Sequence, residues 1–206
     1  MLFNILVIFS FLIVLLLLRR LVGIVPSLLA CVIRWKESVN LEASVKLSRD
    51  RDYLALAMIA PFCLMTFRYR LYSPGFLEGV PETTLMCIYF AVFFAFLLLR
   101  FIAVMTFRPH KMPKKVFSTA VKSSSSFFII GTLLMLAACG LMSVLDMSDA
   151  DIKSAMLWIS AVIYVLSLIR KTQIFSTSCS VFVAFLYLCA LEMIPTGILV
   201  VSAIIF

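Results

Sequence analysis

SSSSFFIIGTLLMLAACGLMSVL, running from Ser123 to Leu145, holds 23 consecutive residues without a charge. A hydrocarbon core of roughly 30 Å is crossed by about 20 apolar residues in helical conformation, so this stretch alone predicts a transmembrane helix. Composition extends that reading to the whole chain. Hydrophobic residues fill 64% of the 206 positions and charged residues only 14%, against about 45–50% and about 25% in soluble domains. Lipid-facing side chains can be as apolar as the interior, so residues 1–206 read as one membrane domain. The 19 phenylalanines suit a lipid-exposed surface.

Working outward from that helix, five further segments approach crossing length, at residues 2–18, 53–72, 84–107, 154–169 and 178–206. The expected fold is therefore all-α, a polytopic bundle of about six spans. Segment 2–18 is followed, not preceded, by Arg19 and Arg20, which marks a retained anchor instead of a cleaved signal. Lysines and arginines number seven, five and two in the first, third and fifth connections, and two and one in the second and fourth. Cations are retained on the cytoplasmic side, so the odd connections face inward and both termini face outward. The cytoplasmic basic loops carry Arg19, Arg20, Arg34 and Lys36 in one, and Arg108, Lys111, Lys114, Lys115 and Lys122 in another.

Between the first two spans, residues 21–33 are apolar but too short to cross. They predict either an interfacial helix with Trp35 at headgroup level or a continuation of the first helix past a bend at Pro26. Charges of both signs alternate with Leu41, Val45 and Leu47 over residues 34–52, the pattern of a helical connector lying on the membrane surface.

Chemistry-bearing motifs are sparse. The six cysteines are scattered without a C-x-x-C pair, so no metal site, disulfide or cofactor is expected. His110 is the single histidine, in a basic loop. Phosphate-cradling and hydrolase motifs are absent, and six glycines leave little backbone for an anion loop. The serines at 123–126 read as a polar helix entry where a hydroxyl caps free amides.

Two ionisable residues fall inside apolar segments, Arg100 and Glu192. A charge at that depth costs about 2.5–3.5 kcal/mol on insertion scales and turns toward a partner, a cavity or the interior. At about 1.5 Å per residue, Arg100 lies roughly 10 Å and Glu192 roughly 20 Å above the inner face, a gap much of which long side chains can close, without deciding whether the two pair. Pro195, three residues after Glu192, predicts a bent helix and a freed carbonyl near Leu191.

The stretch FVAFLYLCALEMIP, Phe182 to Pro195, preceded by Arg170-Lys171-Thr172-Gln173, resembles the carboxy-terminal signature of a Bacteroidetes domain-of-unknown-function family of multi-spanning inner-membrane proteins. The likeness covers the last fifth of the chain. It implies a multi-pass location in the bacterial inner membrane and singles out Tyr187, Cys189, Glu192 and Pro195, without supplying an activity. The basic loop from Arg108 to Lys122 is richer in cations than that resemblance leads one to expect.

A non-enzymatic structural or assembly subunit of a cell-envelope complex is the leading functional expectation, with anionic headgroups and other membrane proteins as partners. A small transporter or proton-linked carrier using Glu192 is the alternative. A lipid-acting membrane enzyme comes third, with only His110 as a base. Nucleic-acid binding is not expected, because orientation in the membrane already accounts for the net charge of +8. With both termini outside, alkaline phosphatase fused after Phe206 is expected to be active. A fusion active only in the cytoplasm would remove this threading.

Overall fold

Pro61 explains why segment 53–72 is not one helix. In the computed structural model, which describes residues 2–72, 74, 77, 79–106 and 113–205, α4 (Val45–Ala57) and α5 (Ile59–Arg68) meet at Met58. Pro61 has no N–H for the carbonyl of Ala57, and its ring crowds that carbonyl, so the helix breaks and restarts with proline in its first turn. Neither piece is long enough to cross a membrane alone.

The remaining elements are α1 (Leu2–Leu16), α2 (Leu18–Ile33), α3 (Trp35–Ala43), α6 (Glu82–Thr106), α7 (Lys114–Val144), α8 (Asp149–Ser176), α9 (Val181–Leu188) and α10 (Ile194–Ile205), with a π turn at Cys189–Met193 between the last two. Four helical stretches are long and apolar enough to cross a membrane: Glu82–Thr106, Val116–Val144, Asp149–Ser176 and Val181–Val201. A fifth exists if α1 and α2, bent by 70° at their junction, are one broken span. Among the described residues no strand occurs.

The bend lies at Leu17, not at Pro26, which sits inside α2. Arg19 and Arg20 follow the bend directly, and Arg20 is anchored by Asp50 at 3.4 Å and by the ring face of Tyr53 at 5.4 Å. Holding those cations on α4 turns the chain away from the line of α1. From the bend, α4 and α5 lead back along α1. Val14 and Leu17 pack into the cluster of Leu54 and Met58, while Phe3 meets Phe67 with ring centroids 5.7 Å apart. Segment 53–68 thus covers the same depth as α1, in two pieces.

Two connections expected as loops are largely helical. α7 starts at Lys114, so Ser123 to Ser126 lie well inside it. They cap nothing: Ser123 donates to the carbonyl of Ala120 at 2.8 Å instead. α8 likewise continues through Arg170 and Lys171 to Ser176. There Arg170 donates to the carbonyls of Val32 and Ile33, both at 2.8 Å, and so caps the carboxy-terminal end of α2, where a helix leaves its last carbonyls without intrahelical partners.

α7 and α8 form the closest helix pair, and Gly131 makes the approach possible. A Cβ built there would lie 3.3 Å from Cγ2 of Ile163, whereas at Gly140, farther along α7, it would meet nothing within 4 Å. Outward faces are apolar: Phe94, Leu98, Phe101, Trp158 and Phe182 are all exposed. Replacing Gly131 with Leu wedges α7 from α8, and overpacking of this kind costs about 1–3 kcal/mol. A lowered unfolding temperature in detergent is the expected outcome, with Gly140→Leu as the control that leaves it unchanged.

Candidate functional site

Glu192 has to find cations because it lies in an apolar segment, and the π turn aims it at them. The amide of Ile194 bonds to the carbonyl of Cys189, five residues back, so one extra residue is accommodated immediately before Pro195. Proline, lacking an amide hydrogen, follows such a break at no hydrogen-bonding cost in the first turn of α10. The expected irregularity is therefore present as a π turn, and within it the carbonyl of Glu192 accepts from the Tyr164 hydroxyl at 3.3 Å. Turns of this type concentrate at functional sites.

Arg100 and Glu192 pair, with Nη2 to Oε1 at 2.6 Å. Lys171 on α8 joins them, Nζ reaching the same Oε1 at 2.6 Å. Ser124 on α7 also accepts from Nη2 of Arg100. Three apolar helical segments thus converge on one carboxylate oxygen, with α7 contributing a hydroxyl. Side-chain exposure falls from 19% for Arg100 to 10% for Glu192 and 3% for Lys171. Lys171 was expected to be one of the loop cations that set orientation. It is instead turned inward, and its position at the end of an apolar run is the single sequence signal that marks it.

Two cavities meet at Arg100. One, of about 510 Å³, is bordered by α6, α7, α8 and α10 and holds the whole triad at one end. The other, of about 410 Å³, lies toward α4 and reaches Asp52, sharing Phe96, Arg100, Ser124 and Phe128 with the first.

The remaining predicted residues separate from the triad. Pro195 is buried beside it. Cys189 lies in the π turn, its thiol 3.5 Å from the Met193 sulfur, and Tyr187 is half-buried on α9 without being a partner of Glu192 among the described residues. Arg19 and Arg34 are exposed, as is Lys36, which lies 5.9 Å from the Trp35 ring centroid. Arg108, His110 and Lys111 fall outside the described residues, and of Lys114 and Lys115 the backbone alone is described.

Lys122 belongs to a second network. Glu42 on α3 accepts from Lys122 on α7 and from Arg51 on α4, the latter at 2.9 Å. Arg51 also bonds Asp52 at 2.8 Å and Ser48 at 3.2 Å. Burial alone would push the Glu42 carboxyl upward, but hydrogen bonds and charge from Lys122 and Arg51 outweigh it and hold the group below the ordinary carboxylate range. Arg51 is only 1% exposed, which nothing in the alternating charges of the connector signalled. Among the described residues no group of histidine, cysteine, aspartate and glutamate side chains is arranged to hold a metal ion.

Long apolar helices joined by a deep ion triad define a membrane protein, and no catalytic constellation accompanies them among the described residues. The chain belongs to the family described as Domain of unknown function (DUF4271), whose family model matches residues 1–202. Comparison with curated proteins and with solved structures finds no match to either.

Removing the carboxylate of Glu192 leaves the buried Lys171 without its charge partner and Arg100 with Ser124 alone, and stranding a buried charge costs about 3–5 kcal/mol. Glu192→Ala is thus expected to unfold at distinctly lower temperature in detergent. Lys171→Met, which leaves Glu192 paired with Arg100, is expected to cost less. Equal stability of Glu192→Ala and the native chain would show that the triad bears no structural load.

Proposed function

We propose that this protein is a non-enzymatic structural or assembly subunit of a complex in the bacterial inner membrane. The observation that carries this reading is the commitment of the one deep carboxylate. Glu192 is held by Arg100 and Lys171 at 2.6 Å each, so it acts as a clasp between helices rather than as an exchangeable proton site. In the same reading the chain crosses six times, through α1, the α4–α5 pair, α6, α7, α8, and α9 with α10. Antiparallel stacking of α4–α5 on α1, with Phe3 against Phe67, supports counting that pair as a crossing. The exposed cations Arg19, Arg20, Arg34, Lys36, Lys46 and Arg49 gather on α2 to α4, where they suit anionic headgroups and acidic partners on the cytoplasmic side. Both termini then lie outside.

A small carrier is the second reading, favoured by the π turn and by the two cavities that meet at Arg100. Irregular helix beside a polar cavity is how many carriers build a site at mid-membrane depth. Against it stands the absence of a second membrane acid in the sequence. A lipid-acting enzyme would rest on His110, which lies outside the described residues.

Mild crosslinking and purification from native membranes at native expression separates the first two readings. The subunit reading expects one or more envelope proteins in fixed ratio to this chain. Recovery of this chain alone, together with a proton or solute flux in proteoliposomes that disappears in Glu192→Gln, would replace it with the carrier.

A further inference from the structure

Three ionisable groups meet at the triad, Glu192 facing two bases, Arg100 and Lys171. With all three charged, one positive charge has no counterpart. Among the described residues Glu192 is the single carboxylate bonded to Arg100 or Lys171, and Asp52, which borders the second cavity with Arg100, is held by Arg51 at 2.8 Å. An unmatched charge in a low-dielectric interior is costly and attracts an anion. Arg100 is also equipped to receive one. Both of its hydrogen bonds leave from Nη2, and Nε and Nη1 bond to no described residue. A guanidinium presents its donors as a fork that fits a carboxylate or phosphate edge.

The cavity beside it restricts what that anion can be attached to. Away from the triad, its walls are Phe127, Phe128, Leu157 and Val200. Of the lining hydroxyls, Tyr164, Ser167 and Thr196 lie within a turn of the triad or bonded to it, whereas Thr132 and Ser160, farther off, donate to the backbone carbonyls of Phe128 and Met156, both at 2.8 Å. Polarity is thus confined to one end. At about 510 Å³ the cavity lies within the ~300–1,000 Å³ range of small-ligand sites. Leu157 and Val200 at its rim are 47% and 51% exposed, on faces that the long apolar helices present to lipid, so entry is sideways from the bilayer.

We propose that this cavity binds a single-chain amphiphile with an anionic head, the head on Arg100 and the chain between α7, α8 and α10. A neutral amphiphile would leave the excess charge unanswered, and a two-chain phospholipid exceeds the space. The inference stands independently of the subunit reading, since a clasp and a bound amphiphile are compatible and either can fail alone.

Full-length protein in phosphatidylcholine nanodiscs, labelled with a photoactivatable diazirine palmitic acid, tests it. Saturable labelling on 127–135 and 157–167 is expected, exceeding that by the matching diazirine hexadecanol by about tenfold, as for loss of one charge-assisted pair. Arg100→Gln is expected to bring palmitate labelling down to the alcohol's level, and Arg100→Lys to retain most of it. Leu157→Trp narrows the mouth without touching the triad, so its loss of labelling with unchanged thermal unfolding keeps the test decisive if Arg100→Gln does not fold. Equal labelling by palmitate and hexadecanol overturns the proposal, as does label spread over the outer surface. Labelling of the cavity by diazirine phosphatidylglycerol in preference to palmitate overturns the single-chain assignment.

Discussion

One carboxylate oxygen holds this molecule's membrane interior together. Oε1 of Glu192 draws Arg100 from α6 and Lys171 from α8, and in lipid neither cation has water as an alternative partner. Hydrophobic burial gives little reason for helices to associate in a bilayer, because lipid tails are as apolar as leucine. Packing and polar contacts across helices supply the specificity instead. The triad is the polar part of that specificity, and the Gly131 to Ile163 approach is the packing part. Register follows from both, since sliding α8 by one turn would part Lys171 from Glu192 and move Ile163 off Gly131.

The two ionic networks differ in kind because they sit in different solvents. Around Glu42, cations and anions come close to balance, with Asp52 about half exposed and Lys122 nearly so. Water reaches its edges. The Glu192 triad is drier and unbalanced toward positive charge. Arg51 and Lys122 therefore join α3, α4 and α7 at the basic end, whereas Arg100 and Lys171 fix the deeper crossing segments. Ser124 and Lys122, two residues apart on α7, assign that one helix to both networks.

Much of this was readable from residue order. Apolar runs marked α6, α7, α8 and the α9–α10 stretch, and depth arithmetic placed Arg100 and Glu192 roughly 10 Å apart in height. Pro195 announced an irregular turn. Lys171 and Arg51 were not readable, for a shared reason. A cation at the end of an apolar run looks the same whether it points to headgroups or folds back inward, and only the identity of the neighbouring helix decides. Gly131 was not readable either, because one-dimensional order does not say which face of a helix meets a neighbour. The break at Met58 was visible in Pro61 but masked by the apolar residues on either side.

The Arg170 cap on α2 has a bearing on how the chain is made. Val32 and Ile33 leave the ribosome 138 and 137 residues ahead of the side chain that completes their helix. At roughly 5–20 residues per second, the lag is on the order of ten seconds. During it the end of α2 keeps open carbonyls, which suit a watery headgroup region far better than hydrocarbon. Completion of α2 is thus a late event, timed by emergence of the fifth apolar segment from the translation machinery.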